Sequence, residues 1–144
     1  MGIPPGALPD NSVWLTYAYD VAYATVNTQL STVPGPFYVL AVYNLGGDNL
    51  VNWAQDDVQP PYPFPTNNPA GLFYFAYLRD QFKINAFVPG VINSSSDEGT
   101  SQSMDTLDAY KNFTLSNLQN LKTPWGRTYL GFAQRVGTLW GLTP

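Results

Sequence analysis

The sequence predicts a mainly α fold, a small helical bundle interrupted by a long Pro-rich loop and by an extended Ser-rich arm or β-hairpin. Three observations predict it. Apolar residues recur at spacings of three and four through several segments, which gathers them on one face of a helix. Five prolines fall within residues 54–69, where fixed φ and missing amides exclude helix. Residues 91–104 are polar, Ser-rich and centred on a Gly-containing turn, without a helical period. A chain of 144 residues is long enough to close one core, so 1–144 reads as a single domain.

Pro4, Pro5 and Pro9 keep residues 1–11 extended, and Asp10, Asn11 and Ser12 then offer oxygens that cap a helix. The first helix is expected over residues 12–30, with Trp14, Tyr17, Ala18, Val21, Ala22 and Thr25 on its apolar face. Pro34-Gly35-Pro36 ends it. Pro36 opens a second helix in which Phe37, Leu40, Ala41, Asn44 and Leu45 repeat at three and four. Gly46-Gly47 weakens or ends that helix, and Asp48 recaps a short continuation carrying Leu50, Val51 and Trp53. After the loop at 54–69, a third helix is expected over 70–82, and the breadth of its apolar surface marks it as the most buried one. The extended arm or hairpin occupies 88–106. A short fourth helix follows over 107–121, and a fifth over 124–136, with Thr123 as its cap and Pro124 in its first turn.

Charged residues make up only 11% of the chain, against roughly 25% in typical soluble domains, while aromatic residues make up 15%. Such a surface is neutral and adhesive, so self-association is the first functional expectation. The net charge is −4 with six basic residues, too few for a phosphate-neutralising face. The chain has neither Cys nor His, which removes thiolate metal sites, disulfides, the usual zinc sites and His-based triads. Asp56-Asp57 and Asp97-Glu98 are adjacent carboxylates with no third ligand nearby in sequence, and they read as solvated turn charges. The amino terminus has no basic region or apolar run of a signal peptide, and no stretch is apolar enough to span a membrane.

No catalytic, cofactor-binding or metal-ligating residue is therefore nominated, and the chain reads as a non-enzyme. The candidates for a protein interface are Tyr62 and Phe64 between the loop prolines, Val91, Ile92 and Met104 in the arm, and Trp140 in the tail. Rings set between prolines lose little conformational freedom on insertion into a neighbour.

Three segments then carry a resemblance: Tyr-Val-Leu-Ala-Val-Tyr-Asn-Leu at 38–45, Ile-Asn-Ser-Ser-Ser-Asp-Glu-Gly-Thr-Ser-Gln-Ser at 92–103, and Lys-Thr-Pro-Trp-Gly-Arg-Thr-Tyr-Leu at 122–130. Their order, a helix, a Ser/Gly-rich arm, then Thr-Pro-aromatic-Gly and a final helix, resembles the head-to-tail adaptor (connector, head-completion) proteins of tailed bacteriophages. It covers about the last two thirds of the chain; family members often carry a His in the second helix, which this chain lacks. The resemblance implies a homo-oligomeric ring, commonly dodecameric, that docks on the portal protein and contacts a stopper or tail protein. It also implies a place in the virion neck, assembly in the bacterial cytoplasm, and DNA that passes without specific binding. Other phage structural roles, such as tail terminator or head decoration protein, and a monomeric helical ligand-binding module are the alternatives.

Overall fold

The structure is a computed structural model that describes residue 3 and residues 7–56, 72–87, 91–95, 102–105 and 115–136. It is mainly helical, as the periodicity predicts. Helix α1 spans Val13–Thr25, opened by extended Ser12, whose Oγ accepts from the Trp14 amide at 3.3 Å. It stops at Thr25 instead of running to residue 30. Asn27 leaves the helix and its side chain accepts from the Gln29 amide at 2.9 Å, which starts a 3-10 turn at Thr28–Thr32. That turn swings Leu30 fully into the core. Ahead of α1 the chain turns, with the Ser12 amide on the Pro9 carbonyl and Leu8 buried, so the described part of the 1–11 segment is folded back and not extended.

Helix α2 spans Phe37–Trp53 without interruption. Gly35, at φ +113°, makes the reversal that lets Pro36 stand as the N-cap. The expected break at Gly46-Gly47 does not occur. Gly46 faces α1, where an added Cβ would lie 3.6 Å from the Ala18 carbonyl oxygen and 3.8 Å from the Ala22 Cβ. Packing against α1 outweighs the helix penalty of about 1 kcal/mol per glycine. Nor does Asp48 recap anything; it sits buried inside the helix and bonds Thr123 across the fold.

Both α1 and α5 pack on α2, which makes α2 the central element in place of the third helix. Two apolar clusters meet along it. One joins Ala22, Val26, Leu30, Val42 and Leu45 to Tyr129 and Leu130; the other joins Leu8, Ala18, Leu50 and Ala54 to Phe75. Helix α3, Tyr74–Gln81, is shorter than expected and buries Phe75 alone, with Tyr74 and Leu78 half-buried against the same cluster. It ends at Lys83, which adopts a left-handed conformation at φ +50°.

Strands β1, Val91–Ser95, and β2, Gln102–Asp105, pair antiparallel, which is the hairpin form of the expected arm. The register slips between Ile92 and Ser94, so Asn93 forms a bulge. Helix α4, Leu115–Asn120, lies within the expected fourth segment, and the remainder of that segment at 107–114 is outside the described residues. Helix α5, Pro124–Ala133, runs into a 3-10 turn at Gln134–Val136. The Thr123 Oγ1 accepts from the Gly126 amide at 2.9 Å, the cap that Thr-Pro predicts.

The two helical glycines at the packing contacts have opposite tolerances. At Gly46 an alanine methyl has ordinary van der Waals room, so Gly46→Ala should hold or raise stability by up to about 1 kcal/mol. At Gly126 the methyl would lie 2.0 Å from the Asn120 carbonyl oxygen, so Gly126→Ala should sharply lower the denaturant midpoint. Urea melts of the two variants check this pair.

Candidate functional site

Helix α1 holds thirteen residues, of which Asp20 is the single charged one, and it buries only Ala18 and Ala22. These two small residues form a narrow stripe against Gly46 of α2, with Trp14 half-buried at one end. Most of the rest of the helix faces solvent although it is largely apolar, with Thr16, Asp20 and Thr25 as its polar members. Leu15, Tyr19 and Tyr23 repeat every four residues along one flank, and Val13, Tyr17 and Val21 do the same along the other. Val39, Leu40 and Tyr43 of α2 are exposed beside them, Tyr43 by 67%. A helix that is apolar all round is ordinarily enclosed on every side.

The first flank forms part of a depression. Leu15 and Tyr19 of α1, with Leu40, Tyr43 and Leu50 of α2 and Trp125 of α5, line an open groove of about 570 Å³. Tyr19 stacks on Tyr23 at 6.0 Å between ring centroids, and Tyr23 meets Tyr38 edge-on at 6.3 Å. Burial, reinforced by Tyr23 and Tyr19, holds the Tyr38 phenol above its ordinary range. Asp10, exposed at the groove, is its one charged lining residue.

Polar clusters elsewhere position helices. Thr123 is fully buried; its hydroxyl accepts from Gly126 and donates to Asp48 Oδ1, joining the start of α5 to the middle of α2. Asp48, itself 1% exposed, has a pKa pushed up to about 6 by burial, against the opposing hydrogen bonds from Thr123 and Asn52 and the charge of Lys122. Asp56 accepts from the Phe75 amide at 2.7 Å and from the Ala76 amide at 2.9 Å. It is thus the cap of α3 and not a solvated turn charge, a correction to the reading of Asp56-Asp57; Asp57 lies outside the described residues, as do Asp97 and Glu98. Arg79 donates through Nε to the Val51 carbonyl at 2.8 Å and through Nη2 to the Ala54 carbonyl, closing the C-terminus of α2. Burial lowers its pKa, and the Asp56 carboxylate opposes that shift. A second depression, lined by Arg79, Asp80 and Lys83 among others, holds the Lys83–Asp80 pair at 2.9 Å. Among the described residues no three of His, Cys, Asp and Glu gather where they could hold a metal ion.

Of the interface candidates from the sequence, Tyr62, Phe64 and Trp140 lie outside the described residues. Val91 and Ile92 lie on β1 and Met104 on β2, and the register sets Ile92 opposite Met104 and Val91 opposite Asp105. Sequence reasoning missed the exposed tyrosines of α1 and α2. It assigned Tyr17, Val21 and Thr25 to the buried face of α1, and all three are exposed, Tyr17 by 56%. The available signal was the second ladder, Leu15, Tyr19 and Tyr23, on what should have been a polar face.

Two polar sites yield measurable outcomes. The folded pKa of Asp48 lies above the unfolded value of 3.8, so the folded chain holds this proton longer. Its contribution to stability is therefore full below about pH 4, is lost as pH rises to about 6, and is level beyond. Asp48→Asn keeps an acceptor for Thr123 without the charge, so it should match the parent near pH 4 and exceed it by about 3 kcal/mol at pH 7 in urea melts. Asp56→Ala uncaps α3 and should cost about 1–2 kcal/mol in the same measurement. Compared with known proteins, the chain matches no family model, no curated protein and no solved structure.

Proposed function

We propose that the chain is a structural subunit of a tailed-bacteriophage neck, a ring adaptor between the portal and the stopper or tail with a channel for DNA. The observation that carries an assembly role is α1, a helix with exposed apolar residues on both flanks that a single copy encloses along only its Ala18–Ala22 stripe. Monomeric proteins rarely leave so much contiguous aromatic surface in water. The placement in the neck rests on the order of elements: helices, the hairpin of β1 and β2, and a final helix that starts at a Thr-Pro cap.

Four of the five described cations, all but Lys122, support passage of DNA without capture. Arg79 is engaged by α2 carbonyls, Lys83 by Asp80, Arg127 by the Leu121 carbonyl, and Arg135 lies 4.6 Å from the centroid of the Phe37 ring. Cations held on the chain's own acceptors and rings form no free stripe for phosphates. Among the described residues no helix is long and apolar enough to cross a membrane.

A second reading, a monomeric ligand-binding module, draws on the groove between α1 and α2. Light scattering of the purified chain together with negative-stain imaging separates the two. The adaptor reading expects closed rings, whereas a monomer at micromolar concentrations whose groove takes up an apolar dye would replace it with the second reading.

A further inference from the structure

We infer that α1 is the joint between neighbouring copies, and that the joint is head-to-tail: the Val13–Tyr17–Val21 flank of one copy seats in the groove walled by Leu15, Tyr19, Leu40 and Tyr43 of the next. The inference rests on the assembly reading above and adds to it which surfaces meet and in what symmetry.

The two flanks lie on opposite sides of one helix. At 3.6 residues per turn, positions two apart point about 160° away from each other. Tyr17 and Tyr19 therefore face different neighbours, and no single partner surface covers both. The flanks also differ in shape. Val13, Tyr17 and Val21 form an exposed ladder that lines no part of the groove, whereas Leu15 and Tyr19 are one wall of a groove of about 570 Å³ completed by α2. A two-fold interface uses one and the same patch of both copies, and because the flanks face apart it would cover either the ladder or the groove and leave the other bare. A heterologous interface sets the ladder in the groove, uses both flanks of every copy, and closes into a ring when the rotation permits.

Charge and area agree with this occupant. Asp20 rides between the flanks on the outer line of α1 and Asp10 lies at the groove, so each falls at the rim, where interfaces tolerate polar groups. The ladder carries no charge. Ten large apolar side chains, all but Trp53 on α1 or its neighbouring α2 positions 39–43, are more than a third exposed. At about half exposure, each leaves on the order of 100 Å² uncovered, or roughly 1,000 Å² in all. Leaving out Trp53 at the far end of α2, a head-to-tail joint removes about 900 Å² of this once per interface. Interfaces that are about 60% non-polar then come to about 1,500 Å², within the usual size of a stable protein contact.

A mixing experiment decides it. Tyr17→Glu with Val21→Glu breaks the ladder, and Leu40→Glu with Tyr43→Glu breaks the groove; all four residues are exposed, so the fold should survive, which circular dichroism checks. Each double variant alone should run as a monomer in light scattering. Mixed in equal amounts, they should form a heterodimer, since one keeps its ladder and the other its groove. If the parent assembles but the mixture stays monomeric, the head-to-tail joint is wrong while the assembly role stands. A monomeric parent overturns both. Should a Glu variant lose its helix content, the Ala variants at the same positions replace it, and an undiminished assembly in both Ala doubles would equally overturn the joint.

Discussion

Thr123 holds two elements with one hydroxyl. Its oxygen accepts a free amide in the first turn of α5, from Gly126, and its proton goes to Asp48, a carboxylate buried in the middle of α2. A buried hydroxyl or carboxylate without a partner costs about 1–3 kcal/mol or more, so each group here depends on the other. The contact also dictates a neighbour. Asn120 and Asp48 leave no space for a side chain at position 126, and Gly126 lets the first turn of α5 come down on both. The α2–α5 contact then continues through Leu45, Tyr129 and Leu130, which are buried in one cluster.

The attachment of α1 is of a different kind. It touches α2 through alanines against a glycine, a geometry that brings backbones close but buries little side chain. A large aliphatic or aromatic side chain contributes about 1.5–3 kcal/mol when fully buried, and on α1 those residues remain on the outside. A single copy thus leaves much of the apolar free energy of this helix unrealised. The end of α2 is closed from the other direction by α3, whose Arg79 satisfies the last carbonyls while Asp56 satisfies the first amides of α3. These charges complement the helix dipoles and are occupied with backbone. The surface that stays available is the tyrosine-lined one.

The sequence by itself determined the helical class, the start of α5 at Thr-Pro, and the position of the hairpin; the expected Pro-rich loop lies outside the described residues from 57 onward. Those features depend on periodicity, capping and proline geometry, which act within a few residues and are readable one turn at a time. Tertiary structure decided the rest. Asp48 meets Thr123 over 75 residues, Arg79 meets Val51 over 28, and Asp56 meets Phe75 over 19, and no local pattern announces such pairs. Gly46-Gly47 reads as a helix end when the chain is considered alone, and becomes helix because α1 arrives there. The exposed face of α1 was misread for the same reason. Period names the residues that share a face, but which of two apolar faces is buried depends on where a neighbouring helix can approach, and here only the alanines admit it.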